Sequence, residues 1–298
     1  MFDHEDLSAE AKKKAEAIAA MADVIKRRCE KSYAPEVAKH LDKVGTGVTH
    51  PDEEQLLDSM NTYVELLIDV YVRARISAMG DRTVFEQIYL TAAEEWKNVA
   101  AEPDLPNVEK LKPLLSALLA AEVELRGPRR LSRTQSARLA RVYESLGQGL
   151  LTMGLAAHAA LAYLRGTELH RQKEDFAGQD RCGLALARAR RQAVFPRWRR
   201  LPGWLSDLLC GYGFRPFWLL GWMAALLLIF AAGLWSTTSL PLSSAIHMVL
   251  VNFLNPVGFG DLDDVNTTGR ILLIIESYSG IVLISVFFAL LVRRWFRL

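Results

Sequence analysis

Cysteine is scarce. Cys29, Cys182 and Cys210 are the 3 cysteines in 298 residues. They lie far apart, with no CxxC or Cys/His spacing, so neither a disulfide framework nor a zinc site is expected; a reducing compartment and roles as small buried side chains fit all three. A secretory signal is missing too. MFDHEDLSAEAKKK carries acidic residues where a basic region would stand, and no apolar stretch follows, so residues 1–200 are expected to remain in the cytosol. No stretch of any length alternates apolar and polar residues as a strand would. The phosphate-loop pattern G-x-x-x-x-G-K-S/T, the metalloprotease pattern H-E-x-x-H and the nucleophile elbow G-x-S-x-G are all absent. His4, His40, His50, His158 and His170 are scattered singly, which points to surface or packing roles. The chain is therefore not expected to be an enzyme or to carry a resident cofactor. A formal net charge of +2 gives no electrostatic footprint for nucleic acid.

What is present divides the chain. Up to about residue 200 it is rich in Ala, Glu, Lys, Arg and Leu, whereas beyond Phe217 charge is confined to short clusters. Amphipathic patterns predict helices over about 7–32, 52–79, 82–101, 107–126, 133–148 and 150–170, separated by turn signals such as THPDEE, GDRT, EPDLPN and RGPRR. Tyr143, Leu146, Gly147, Leu150, Ala159 and Tyr163 fall at the spacing of a tetratricopeptide repeat, so that about 140–171 resembles one copy. Three clear copies are not found. The expectation is an all-helical cytoplasmic bundle with a solenoid-like end over 1–171, serving assembly and regulation, with a ligand or protein partner that the sequence does not identify. A basic linker with an interfacial helix is expected over 172–216.

Phe217 to Trp235 runs uncharged for about 28 Å as a helix, close to the hydrocarbon thickness of a bilayer. Ile271 to Val292 is slightly longer and holds a single ionisable residue, Glu276. Two such runs, each bounded by arginines, predict two spanning helices over 217–235 and 271–292. Trp218, Trp222 and Trp235 suit interfacial anchors. Arginines cluster before the first run and after the second, at Arg293, Arg294 and Arg297, whereas Asp261, Asp263 and Asp264 lie between the runs. The positive-inside rule then puts both termini in the cytoplasm of a plasma (inner) membrane protein. Trp204, Leu205, Leu208 and Leu209 form a stripe suited to the inner interface. The basic cluster Arg190 to Arg200 could hold anionic lipid, although a topology signal explains it equally well.

The connection between the runs is too apolar for a solvated loop. SSAIHMVLVNFL predicts a short helix over 243–254, with Ser243 or Ser244 as N-cap, ending at Asn255-Pro256 because the residue before proline is driven from helical geometry. A re-entrant helix that then unwinds exposes carbonyls, tolerable at that depth only beside protein or a water-filled path. Val257-Gly258-Phe259-Gly260 places glycine at every second position. A strand that aims successive carbonyls at one axis alternates right- and left-handed conformations, and the left-handed one costs an L-residue roughly 1–2 kcal/mol. Glycine escapes that cost.

Helix, short helix, VGFGD, helix resembles the pore module of the two-transmembrane, potassium-channel-like ion channel family over about residues 211–298. The filter signature T-x-G-Y/F-G-D aligns with Pro256, Val257, Gly258, Phe259, Gly260 and Asp261. Gly269-Arg270 opens the inner helix as in the family, Gly280 takes its hinge position, and a basic end closes it. The resemblance implies a homotetramer in which the backbone carbonyls of Pro256, Val257, Gly258 and Phe259 coordinate K+ as the permeant ion, with Asp261 at the outer mouth. Asn255 and Glu276 would support the filter from behind. Ile284, Phe287 and Phe288 would line a gate on a stripe with Ser277 and Ile281, which ordinary helix packing explains as well. Pro256 in place of threonine removes a coordinating hydroxyl. Met248 and Val249 replace bracing tryptophans, and Phe259 lacks the tyrosine hydroxyl. Potassium is thus the favoured ion, a non-selective monovalent cation pore is the alternative, and a non-conducting membrane-anchored helical scaffold is a third reading. Gly211-Tyr212-Gly213 also spells a glycine-spaced tripeptide but sits in the basic cluster, and reads as a turn. With only six residues after Val292, regulatory input is expected from the N-terminal side.

Overall fold

The computed structural model describes residues 4–45, 53–74, 81–100, 107–194, 197–214, 216–238, 241–255 and 265–296. Every regular element among these residues is helical. The chain forms two compact units, Met1–Arg200 and Leu201–Leu298.

In the first unit, α1 (His4–Arg28) passes through a π-helical turn, Cys29–Tyr33, into α2 (Ala34–Gly45). There follow α3 (Glu53–Arg73), α4 (Glu86–Ala100), α5 (Asn107–Arg126), α6 (Arg133–Thr152), α7 (Ala156–Gln172) and α8 (Phe176–Ala193). The centre is α5. Its Leu111, Leu114, Leu115, Leu118, Leu119 and Val123 are all buried, and α1 to α4 and α6 pack around it. Each such side chain contributes roughly 1.5–3 kcal/mol by leaving water. Two acids lie inside and each is matched by donors. Glu122 accepts from the Tyr143 hydroxyl at 2.9 Å and from Arg165 Nε at 3.2 Å. Glu124 accepts from the Val84 N–H at 2.7 Å and the Tyr89 hydroxyl at 2.8 Å; burial nevertheless raises its pKa above the usual carboxylate value.

The start of α6 is fixed by a reciprocal cap: Ser132 Oγ accepts from the Gln135 N–H at 3.1 Å and Gln135 Oε1 accepts from the Ser132 N–H at 2.9 Å. A short turn then folds α7 back on α6. Tyr143, Leu146, Leu150, Ala159 and Tyr163, the repeat-like positions, are buried in this hairpin. The unit continues past residue 171, because Phe176–Ala193 is a third helix packed on α7. Its buried face consists of Gly178, Cys182, Gly183, Leu184 and Ala189. Such small residues give little apolar periodicity, which is why this stretch reads as a basic linker in sequence.

The second unit holds α9 (Leu201–Cys210), α10 (Trp218–Thr237), α11 (Leu242–Leu254) and α12 (Thr267–Phe296). In α9 no residue is buried, so Trp204, Leu205 and Leu208 present an exposed apolar stripe. Gly211, Tyr212 and Gly213 take φ of 54°, 54° and 84°, making the glycine-spaced tripeptide a tight left-handed turn into α10. Trp218 and Trp222 both donate their indole N–H to the Leu208 carbonyl, at 3.0 and 2.9 Å, tying α9 to α10.

Among the described residues, two helices are long and apolar enough to cross a membrane, Trp218–Thr237 and Thr267–Val292. Only 17% and 22% of their most apolar stretches are buried within the chain. A core helix of a soluble protein would be mostly enclosed, so by length, composition and exposure these two helices fit membrane-spanning segments.

Candidate functional site

The second unit brings its three apolar helices into mutual contact. Ala231 and Leu234 of α10, Ala245 and Val249 of α11 and Leu273 of α12 form one buried cluster with Val265. At 13 residues, α11 reaches about 20 Å, too short to span a bilayer. It begins directly after Pro241, which occupies the N-cap with extended backbone; Ser243 and Ser244 fall inside the first turn. Proline can set that extended conformation and needs no N–H there.

The lower end of α11 is locked to α12 by polar contacts inside an otherwise apolar interface. Asn252 Nδ2 donates to Glu276 Oε2 and to the Leu273 carbonyl, both at 2.9 Å. Asn252 Oδ1 accepts from Ser277 Oγ at 3.0 Å. Glu276 is fully buried. Its second oxygen, Oε1, has no hydrogen-bond partner among the described residues. One turn further along α12, a Cβ at Gly280 would lie 2.8 Å from Phe253 Cδ2. Glycine there is a seat for the Phe253 ring, a packing reason independent of any hinge.

Of the sequence-predicted site residues, Asn255 is the exposed C-cap of α11 and its N–H donates to the Val251 carbonyl at 2.8 Å. Pro256, Val257, Gly258, Phe259, Gly260 and Asp261 lie outside the described residues. Glu276 and Gly280 meet α11 as described. Ile284 and Phe287 are half-buried and Phe288 is exposed, with the two phenyl rings edge to face at 5.8 Å. Asn252 was not singled out from the sequence. A lone amide in an apolar helix, at a position where its partner is an acid on another helix, was the available signal.

In the first unit, the Tyr33 hydroxyl lies 2.5 Å from His158 Nε2, and His158 Nδ1 lies 2.7 Å from Glu53 Oε1. The same Oε1 accepts from the Ala157 and His158 N–H groups at 2.9 and 3.0 Å. Burial alone would raise the Glu53 pKa, but the His158 ring and these two donors outweigh it and hold the carboxyl below its usual value. Glu53 lines a cavity of about 710 Å³ together with His40, Glu54, Arg190 and Arg200. Arg200 is held there by the Val194 and Gln192 carbonyls, at 2.9 and 2.5 Å. Part of the Arg190 to Arg200 cluster is therefore engaged with protein. Burial pushes the Cys29 thiol up to about 12, which leaves it inert at neutral pH.

No family model matches this chain, and neither a curated protein nor a solved structure matches it.

Proposed function

We propose that the chain is one subunit of a homotetrameric cation channel, most readily potassium-conducting, in which four copies of Pro256 to Gly260 surround a file of partly dehydrated ions. The observation that carries this reading is the short α11, packed against two membrane-length helices and ending at Asn255, one residue before the glycine-spaced segment. A helix of that length in an apolar setting must turn back, and the backbone after it needs a polar surface. Four symmetry-related segments provide one.

Glu276 acts as a brace in this arrangement. Its Oε2 fixes Asn252, and its orphaned Oε1 needs a donor, since an unpaired buried oxygen costs roughly 1–3 kcal/mol. In this reading a backbone N–H among residues 257–261 would supply it, since Pro256 has none to give, and the carbonyls of the segment would then be free to face the ion axis. Asp261 concentrates cations at the mouth. Transport is passive, both termini lie in the cytoplasm of the plasma membrane, and the N-terminal helical unit modulates opening. The buried Val249 at a position that would hold a bracing tryptophan, with Pro256 and Phe259 in the filter, favours weaker discrimination than a fully braced potassium filter. A non-selective monovalent pore is therefore the second reading.

Purified full-length protein in planar bilayers under opposed potassium and sodium gradients tests both. A reversal potential near the potassium equilibrium value is expected; one near zero selects the non-selective pore. Gly258→Ala should insert normally and conduct nothing. Silence of the unmodified protein, or undiminished current in the Gly258→Ala variant, would overturn the channel and leave a membrane-anchored scaffold. A mass in detergent other than four chains would remove the fourfold ring.

A further inference from the structure

We propose that the first unit carries a transition-metal site, taking Zn2+ or a similar borderline-soft divalent cation, formed by Glu144 of α6, His170 of α7 and Cys182 of α8. Nothing in the channel reading requires it, and it stands or falls separately.

The three ligand atoms lie within 4.8 Å of one another. Glu144 Oε1 is 3.5 Å from His170 Nε2 and 3.3 Å from Cys182 Sγ. With metal–ligand bonds of about 2.0–2.3 Å, the edges of a tetrahedral site are about 3.3–3.6 Å, so two of the three edges are already of that length. His170 is buried, its side chain only 5% exposed, and its Nε2 has no hydrogen-bond partner among the described residues. A buried ring nitrogen left in that state is unfavourable by roughly 1–3 kcal/mol, and a cation at the centre of the three atoms would remove the deficit.

The surroundings are arranged as a metal-bound histidine needs. His170 Nδ1 lies 2.9 Å from Asp175 Oδ2, although without the alignment of a hydrogen bond. Asp175 is itself fixed: its Oδ1 accepts from the Gly178 N–H at 3.0 Å as the N-cap of α8, after a turn in which Glu174 takes φ of 60°. A carboxylate behind Nδ1 favours the tautomer with the proton there, leaving the Nε2 lone pair for a metal. Two glycines make the room. A Cβ at Gly178 would collide with the His170 ring and lie 2.6 Å from Asp175 Oδ2, and one at Gly166 would lie 3.1 Å from Cys182 Sγ. A surface depression of about 400 Å³ opens onto Glu144 and Cys182, giving the ion access and leaving a fourth position for water.

Cys182 donates its S–H to Glu144, and burial, then the nearby carboxylate, raises the thiol pKa. Arg181 reaches the same oxygen at 3.4 Å, but its side chain is 64% exposed and can swing away. On metal binding the Sγ–H bond breaks, an Sγ–metal bond forms, and the proton leaves to solvent; no electron is transferred.

The test uses the full-length protein in detergent, purified without a histidine tag and stripped with EDTA, then titrated with zinc chloride against a chromophoric chelator. One Zn2+ per chain is expected. Cys182→Ser and His170→Gln should each weaken binding at least about 100-fold, and Asp175→Asn about 10–100-fold. Arg181→Ala should bind as tightly or more tightly, and Cys29→Ser should match the unmodified chain. The Co2+ complex of the unmodified protein should show thiolate-to-cobalt absorption, which tests the ligand set even if a variant fails to fold. No retained metal, binding that survives both ligand substitutions, or a Co2+ spectrum without the thiolate band would overturn the site.

Discussion

Replacing Asn252 by leucine keeps the volume at the α11–α12 contact and removes all of its polar bonds. Three hydrogen bonds go, two donated by Nδ2 and one accepted from Ser277. Glu276 is then left fully buried with neither oxygen paired among the described residues. Two scales bound the consequence. In water-soluble cores a hydrogen bond to a charged group contributes roughly 1.5–3 kcal/mol and an orphaned buried partner costs a similar amount. Between membrane helices the measured coupling averages about 0.6 kcal/mol and reaches about 1.7, because separated helices find other partners in the bilayer. The enclosure of Glu276 argues for the top of the membrane range. Asn252→Leu alone should therefore destabilise by about 1.5–2 kcal/mol. Glu276→Gln, which keeps an acceptor, should cost under about 1 kcal/mol. In the Asn252→Leu/Glu276→Leu double variant about 1–2 kcal/mol should return, since the buried carboxylate is gone and of the buried side chains only the Ser277 hydroxyl has lost its partner. The assay is unfolding of the purified protein in mixed micelles with increasing SDS, followed by tryptophan fluorescence. Additive single and double variants, with coupling below about 0.5 kcal/mol, would refute the claim that this amide and this acid hold α11 against α12.

Three further outcomes follow from other contacts. Gly280→Ala places a Cβ 2.8 Å from Phe253 and should destabilise by about 1–3 kcal/mol in the same SDS assay, with Phe253→Leu restoring most of it; equal stability would mean that the close approach is not rigid. Glu53 has a lowered pKa from its donors, after burial is offset, so its contribution is present above the usual carboxylate value of 4.5 and is lost as pH falls through the lower folded value. The stability gap between the unmodified chain and Glu53→Gln, roughly 1–3 kcal/mol at neutral pH, should hold above about pH 5 and close only below about pH 4.5 in circular-dichroism melts. A gap independent of pH would refute that sign. Cys29, fully buried and with its thiol pushed up to about 12, should resist alkylation by iodoacetamide at pH 8 in the folded protein and react on unfolding, as mass spectrometry of digests would show.

Much of the architecture was legible because it is local. The apolar runs, their arginine flanks and the stop at Asn255-Pro256 depend on composition and on backbone rules that act within a few residues. The structure places α10, α11 and α12 within a few residues of the predicted ranges. The repeat-like spacing from Tyr143 to Tyr163 likewise became the buried seam of the α6–α7 hairpin. Helix α8 was harder to read. Apart from Leu184, its inward face is glycine, alanine and cysteine, residues whose burial depends on how closely a neighbouring helix approaches rather than on their own hydrophobicity.

The sequence by itself determined that the chain is helical, that two segments are long and apolar enough to cross a bilayer, and that a glycine-spaced segment lies between them. Tertiary structure alone decided which side chains meet. Glu276 stood out as a single acid in an apolar run, but only the packing of α11 on α12 supplied Asn252 as its partner and left one oxygen unpaired. Glu144, His170 and Cys182 follow no ligand spacing along the chain, and three stacked helices converge them. Helix formation is set by neighbours in sequence, whereas the convergence of polar atoms from separate helices is set by how their apolar faces pack, and that information is spread over the whole core.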